Sequence, residues 1–92
     1  MDLSQKPVDI RIGKKGISES LINEIKVQLK KKKLLKLKFL SGFLNSLEGN
    51  RKQIMRSSLE IITKFSNSEV LEIRGNTAII KEKGKNNKHI QK

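Results

Sequence analysis

Gly13-Lys14-Lys15-Gly16 is the short run in this chain whose residue types and spacing could do chemistry. That chemistry is anion binding. Glycines let a polyanion approach the main chain with no Cβ in the way, and Lys14 and Lys15 bring mobile positive charge to the same corner. Ser18 and Glu19 follow with the character of a helix start. A helix beginning there points its free N–H groups and positive dipole end toward the same place. A phosphate backbone suits such a corner. The competing reading is a strand-to-helix turn that needs glycines for its geometry and carries lysines because it is exposed; short glycine motifs occur often by chance. The strand pattern before it, the cap after it and the charge of the chain favour binding.

Catalysis finds little material. There is no cysteine or tyrosine, and the single histidine is His89, in the last residues of the chain. Asp9, Glu24, Glu60 and Glu72 show no spacing that suggests an acid–base pair, and they read as surface charges balancing neighbouring lysines. No His/Cys cluster is available to hold a metal. "GKKGIS" lacks the four-residue spacer and the Gly-Lys-Ser/Thr ending of a nucleotide phosphate loop. The expectation is a protein that is not an enzyme, with no cofactor and no metal.

Charge is the strongest compositional feature. Among 92 residues, 21 Lys plus Arg stand against 9 Asp plus Glu, a net charge of +12. Such a field attracts nucleic acid, or less often an anionic membrane surface. Between Ile25 and Leu47 lie Lys26, Lys30, Lys31, Lys32, Lys33, Lys36 and Lys38 with no acidic residue among them; a solvated helix end would look the same. No apolar run approaches the ~18 residues of a membrane span, and "MDLSQKP" lacks the apolar stretch of a secretory signal. A cytoplasmic protein without a membrane partner is the expectation.

The elements that must position the corner follow from periodicity. Val8, Ile10 and Ile12 alternate with Asp9 and Arg11, the signature of a half-buried strand. Leu21, Ile22, Ile25 and Leu29 recur at helical spacing behind Ser18 as N-cap, predicting a helix to about Lys31. "LLKLKFL" (Leu34 to Leu40) is a second strand with Leu35, Leu37 and Phe39 on one face and Lys36 and Lys38 on the other. Ser41–Asn50 reads as an apolar loop. Asn50 and Gln53 read as a capping pair for a helix whose stripe is Met55, Leu59, Ile62 and Phe65, flanked by Ile54 and Ile61. Glu69–Arg74 and Thr77–Lys81 form a hairpin about Gly75-Asn76, with Leu71 and Ile73 expected toward the core beside Ala78 and Ile80. The order β-α-β-α-β-β predicts a two-layer α/β sandwich: a four-stranded mixed sheet, helices mainly on one face, the other open to water. Residues 1–7 read as a short arm, 8–83 as the domain and 84–92 as a basic flexible tail.

One family carries these features together. "IRIGKKGISESLINEIKVQL" resembles the hallmark of the CRM domain (chloroplast RNA splicing and ribosome maturation), also called the YhbY-like family: a strand, "IGK-x-G", an apolar-then-Ser/Thr cap and an "L-I-x-E-I" helix. "LLKLKFL" resembles its lysine-bearing second strand and "EVLEIRGNTAIIKEK" its closing hairpin. The resemblance spans roughly Val8 to Lys83. It implies a fold similar to the C-terminal domain of translation initiation factor three. It also implies binding of RNA, ribosomal or otherwise structured, including ribosomal precursor particles, through Gly13, Lys14, Lys15 and Gly16. KH domains also use a GxxG loop, but theirs joins two helices, whereas "VDIRI" is a strand pattern. The family has a helix ahead of its first strand, and seven residues before Val8 are too few for one; a homodimer or a partner would then seal that side.

From charge, Arg11, Lys30, Lys31, Lys32, Lys33, Lys36 and Lys38 join the candidate RNA-binding residues. With only Phe39, Phe43 and Phe65 as aromatics, and Phe39 and Phe65 on expected core faces, bases have few stacking platforms. Binding should address phosphates and shape, as on duplex or structured RNA. Two alternatives stand beside this reading: a DNA-binding chromatin-type protein, and a structural subunit that docks a protein through its sheet face or apolar loop.

Overall fold

Alternation along the first segment produces the strand it implies. In the computed structural model, which describes residues 6–83, β1 is Ile10–Ile12 with both isoleucines buried and Arg11 exposed. Pairing extends beyond that span, since the Asp9 N–H donates to the Lys36 carbonyl at 2.9 Å. The remaining elements are α1 (Glu19–Lys32), β2 (Leu34–Phe39), α2 (Ser41–Leu44), α3 (Arg51–Ser66), β3 (Ser68–Arg74) and β4 (Thr77–Glu82). The sheet order is β1-β2-β4-β3, with β1 and β2 parallel and the other neighbours antiparallel. This is the mixed four-stranded α/β sandwich that the element order implied.

Caps set the helix ends. Ser18 Oγ accepts the Leu21 N–H at 3.2 Å, and Asn50 Oδ1 accepts the Gln53 N–H at 2.9 Å, each satisfying an otherwise unpaired first-turn donor. α1 stops at Lys33, whose φ of 69° turns the chain directly into β2. α3 stops at Asn67, in the left-handed conformation that asparagine tolerates. The core lies between sheet and helices. Ile10, Ile12, Leu35, Leu37, Phe39, Ala78 and Ile80 meet Ile22, Ile25 and Leu29 of α1 and Ile54, Met55, Leu59 and Ile62 of α3.

Four sequence expectations are corrected. Ser41–Asn50 is not wholly loop: α2 forms in it and buries Phe43, whose ring centroid lies 5.7 Å from that of Phe39. Phe65 is not core but 57% exposed. From Ile62 the helix carries Ser66 inward one turn later, where its hydroxyl donates to the Ile62 carbonyl at 2.6 Å and meets Ser68 Oγ at 2.7 Å. Phe65, 100° around the helix from Ser66, therefore faces out. Leu71 and Ile73 do not enter the core either. A bulge between Val70 and Glu72 sets Val70 and Ile73 opposite Ile80 and Ala78 on the helix-covered face, at an edge where they stay exposed, and takes Leu71 out of the ladder. Finally, the open face is not uniformly wet: Ile79 is buried there, between Lys36 and Glu72 in register. The tail assigned to residues 84–92, with His89, and the first five residues of the arm lie outside the described residues.

Candidate nucleic-acid interface

The Gly13–Gly16 corner is built by three local facts. The Ile12 carbonyl accepts the Leu40 N–H at 2.9 Å, so the chain is still held to β2 as it leaves the sheet. The Gly16 N–H then returns to the Gly13 carbonyl at 2.8 Å, closing a turn with Lys14 and Lys15 exposed at its tip. Gly16 has φ of 73°, a conformation that costs any L side chain strain. Gly13 lies outside that region, and a Cβ there would meet only Leu40 Cδ1 at an ordinary 3.5 Å. The fold thus requires glycine at 16 and not at 13.

Behind the turn sits α2. Phe43 forms the floor under Gly16, where a Cβ would lie 3.7 Å from Cε1, and the stem of Lys14 runs over Gly42, whose Cβ would meet Lys14 Cγ at 3.2 Å. The short helix missed in the sequence is therefore the support of the corner.

Register brings other cations to it. Arg11 pairs with Lys38, Lys38 with Thr77, and Thr77 with Arg74. Side chains opposite one another across strands share a face, so Arg11, Lys38 and Arg74 form a basic row on the open face, one residue back from the point where the chain enters the corner. Arg74 also reaches Glu72 at 3.3 Å. At the same end Arg51 Nη1 donates to Asn76 Oδ1 at 3.2 Å. Arg74 and Arg51 were not among the sequence candidates. Once the hairpin register about Gly75-Asn76 is given, Arg74 could have been found. Arg51 has no comparable signal.

The lysine run divides. α1 rises about 1.5 Å per residue, so Lys30, Lys31, Lys32 and Lys33 stand roughly 20 Å from Ser18, at the opposite end of the domain from the corner. Two of the four also make ion pairs: Lys32 Nζ lies 2.9 Å from Asp9 Oδ1, and Lys33 Nζ lies 3.2 Å from Glu82 Oε1. Lys36 sits half-buried on the open face, opposite Ile79 of β4 and paired through its backbone with Asp9. The structure brings Arg11, Lys14, Lys15 and Lys38 together with Gly13 and Gly16, and keeps Lys30–Lys33 apart from them.

Asp9 is more than a surface charge. Its side chain is 5% exposed and accepts the Lys36 N–H at 2.9 Å as well as contacts from Lys6 and Lys32, both at 2.9 Å. Burial opposes its ionisation, but the Lys36 amide and the two ammonium groups outweigh it and hold its pKa below the usual carboxylate value. The group ties the start of the chain, β2 and the end of α1 into one knot.

Among the described residues no group of His, Cys, Asp and Glu could hold a metal, and no helix is long and apolar enough to cross a membrane. The arrangement can neutralise and orient a polyanion. Comparison with known families matches residues 3–80 to the CRS1 / YhbY (CRM) domain. The chain belongs to that family. A search of curated proteins finds no significant match. Among solved structures, this CRM domain is similar to the solution structure of the hypothetical protein SAV1595 from Staphylococcus aureus, described there as a candidate RNA-binding protein. The TM-score is 0.63 at 21% identity, covering 94% of this chain and 81% of the other. At that identity the likeness establishes the shared fold.

Proposed function

We propose that this protein is a non-catalytic RNA-binding module that grips the sugar–phosphate backbone of structured RNA at the Gly13–Gly16 corner, and that ribosomal RNA, free or in precursor particles, is its partner in ribosome maturation. One observation carries the reading: an outward turn bearing two lysines lies beside an in-register basic row, Arg11, Lys38 and Arg74, on a sheet face turned to solvent. Arg11, Lys14, Lys15 and Lys38 have no carboxylate partner among the described residues. Their charge is available to phosphates. Membership of the CRM family and the likeness to a candidate RNA-binding protein support RNA as the ligand class.

Duplex DNA would answer to the same charge, so the test separates the two. The Lys14→Glu/Lys15→Glu double variant, altered only at exposed positions, should keep its fold and lose about tenfold or more in affinity for structured RNA at moderate salt. Matched RNA and DNA stem–loops, offered in competition, should favour RNA, which alone presents the 2′-OH and an A-form stem. Unchanged retention by the double variant contradicts the corner as the grip. Crosslinking in cells with sequencing of the attached nucleic acid should return ribosomal precursor reads; an even spread over genomic DNA points to a chromatin-type protein.

A further inference from the structure

We propose that the hollow beside the corner is a site for unstacked RNA bases, so that the segment taken by this protein is looped or single-stranded rather than continuous duplex. This deepens the function proposed above and rests on it. Two adjoining hollows of about 790 and 350 Å³ share Ile17 and Ile61 as a common wall. The first begins at Lys14 and Gly16 of the corner; the second ends at Phe65 and Lys26. A strand whose phosphates sit at Lys14 and Lys15 thus has its next bases over a trough that starts between the α2 segment and α3, at Phe43, Leu47 and Ile61, and continues between α1 and α3 to Phe65.

The outer surface of α3 is where this trough departs from ordinary packing. α3 buries Ser58 and Ser66 while leaving Ile61 and Phe65 exposed. Phe65 offers a ring on which any base can stack. Lys64 Nζ lies 5.9 Å from that ring's centroid, adding countercharge at the platform. A base has apolar faces and polar edges, and Gln53, Ser57 and Asn23 line the same hollows with donors and acceptors for such edges. Lys14, Lys26 and Arg56 outnumber Glu19 and Glu48 among the lining residues, which fits a polyanion better than an acidic or neutral partner. The sequence reading, with Phe65 assigned to the core, leaves bases few platforms; the exposed Phe65 ring supplies one.

The test needs a ligand with the same charge and no bases. Binding of the intact chain to a single-stranded oligouridylate is compared with binding to an abasic ribose-phosphate oligomer of equal length, at one salt concentration. The base-bearing strand should bind about tenfold more tightly, and Phe65→Ala should abolish that preference while leaving the abasic affinity unchanged. Because the chain has no tryptophan, Phe65→Trp gives a direct second readout: its fluorescence should be quenched by oligouridylate and not by the abasic strand. Equal affinity for the two strands, or a preference that survives both Phe65→Ala and Ile61→Ser, overturns the base site. If the abasic strand still binds and Lys14→Glu/Lys15→Glu removes it, the corner survives that failure. A wild-type protein that retains neither strand nor structured RNA overturns both proposals.

Discussion

Asp9 and the two glycines of the corner carry more than their size suggests. The Asp9 carboxyl has a folded pKa below its unfolded value of about 3.9. Its contribution to stability is therefore complete above that unfolded value and is lost as pH falls through the folded one. Asp9→Ala should cost about 1–3 kcal/mol at neutral pH, because the Lys36 amide loses its acceptor. The gap from wild type should narrow below about pH 4; urea titrations at pH 7 and pH 3 measure both. The glycines separate by function. Gly16→Ala forces a side chain into positive φ at about 1–2 kcal/mol. Gly13→Ala should leave the unfolding free energy within about 0.5 kcal/mol of wild type and still weaken RNA binding, since the new methyl group stands where a backbone would approach. The GxxG pattern was visible in the sequence. The division of labour inside it was not, because φ at each glycine depends on how α2 seats the turn.

At the scale of elements, strong periodicity was legible and competition between neighbours was not. The alternation of Val8–Ile12 and Leu34–Leu40 gave β1 and β2 their faces, and the Ser18 and Asn50 caps gave both long helices their starts. Phe65 and Ser66 could not be ranked from hydrophobicity, since a hydrogen-bonded pair with Ser68 is what makes an inward serine tolerable. Leu71 was misassigned because a single bulge reverses the alternation beyond it. α2 is the element whose loss should tell most. Phe43→Ala removes a ring from under Gly16 and beside Phe39, and should cost about 3–5 kcal/mol, with thermal or urea unfolding as the check. The turn between α1 and β2 offers the opposite change. Lys33 holds φ of 69° and ψ of −35°, outside the regions ordinary residues favour. Its ion pair with Glu82 is largely exposed and worth little. Lys33→Gly should therefore stabilise the protein by about 1 kcal/mol.

For the whole molecule, the net charge of +12 does not by itself say where a polyanion sits. The fold distributes it between two ends: the corner with its basic row, and the far end of α1, where Asp9 and Glu82 engage Lys32 and Lys33. If the corner supplies phosphate contacts, removing two of them should flatten the dependence of log K on log salt by about 1.4 to 1.8 for single-stranded and duplex ligands respectively. Replacing Lys30 and Lys31 by neutral residues should leave that slope nearly unchanged. This partition was hidden from the linear sequence, in which Lys15 and Lys30 are both members of a generally basic first half. It appears only when α1 holds them a helix length apart.

The most direct measurement is a titration of the isotopically labelled chain with a structured ribosomal RNA fragment, followed by backbone amide chemical shifts. The account predicts that Gly13, Lys14, Lys15, Gly16 and the first turn of α1 move first and furthest while Lys30–Lys33 stay in place. Shifts gathered at the Lys30–Lys33 end, with the Gly13–Gly16 amides unmoved, would contradict it.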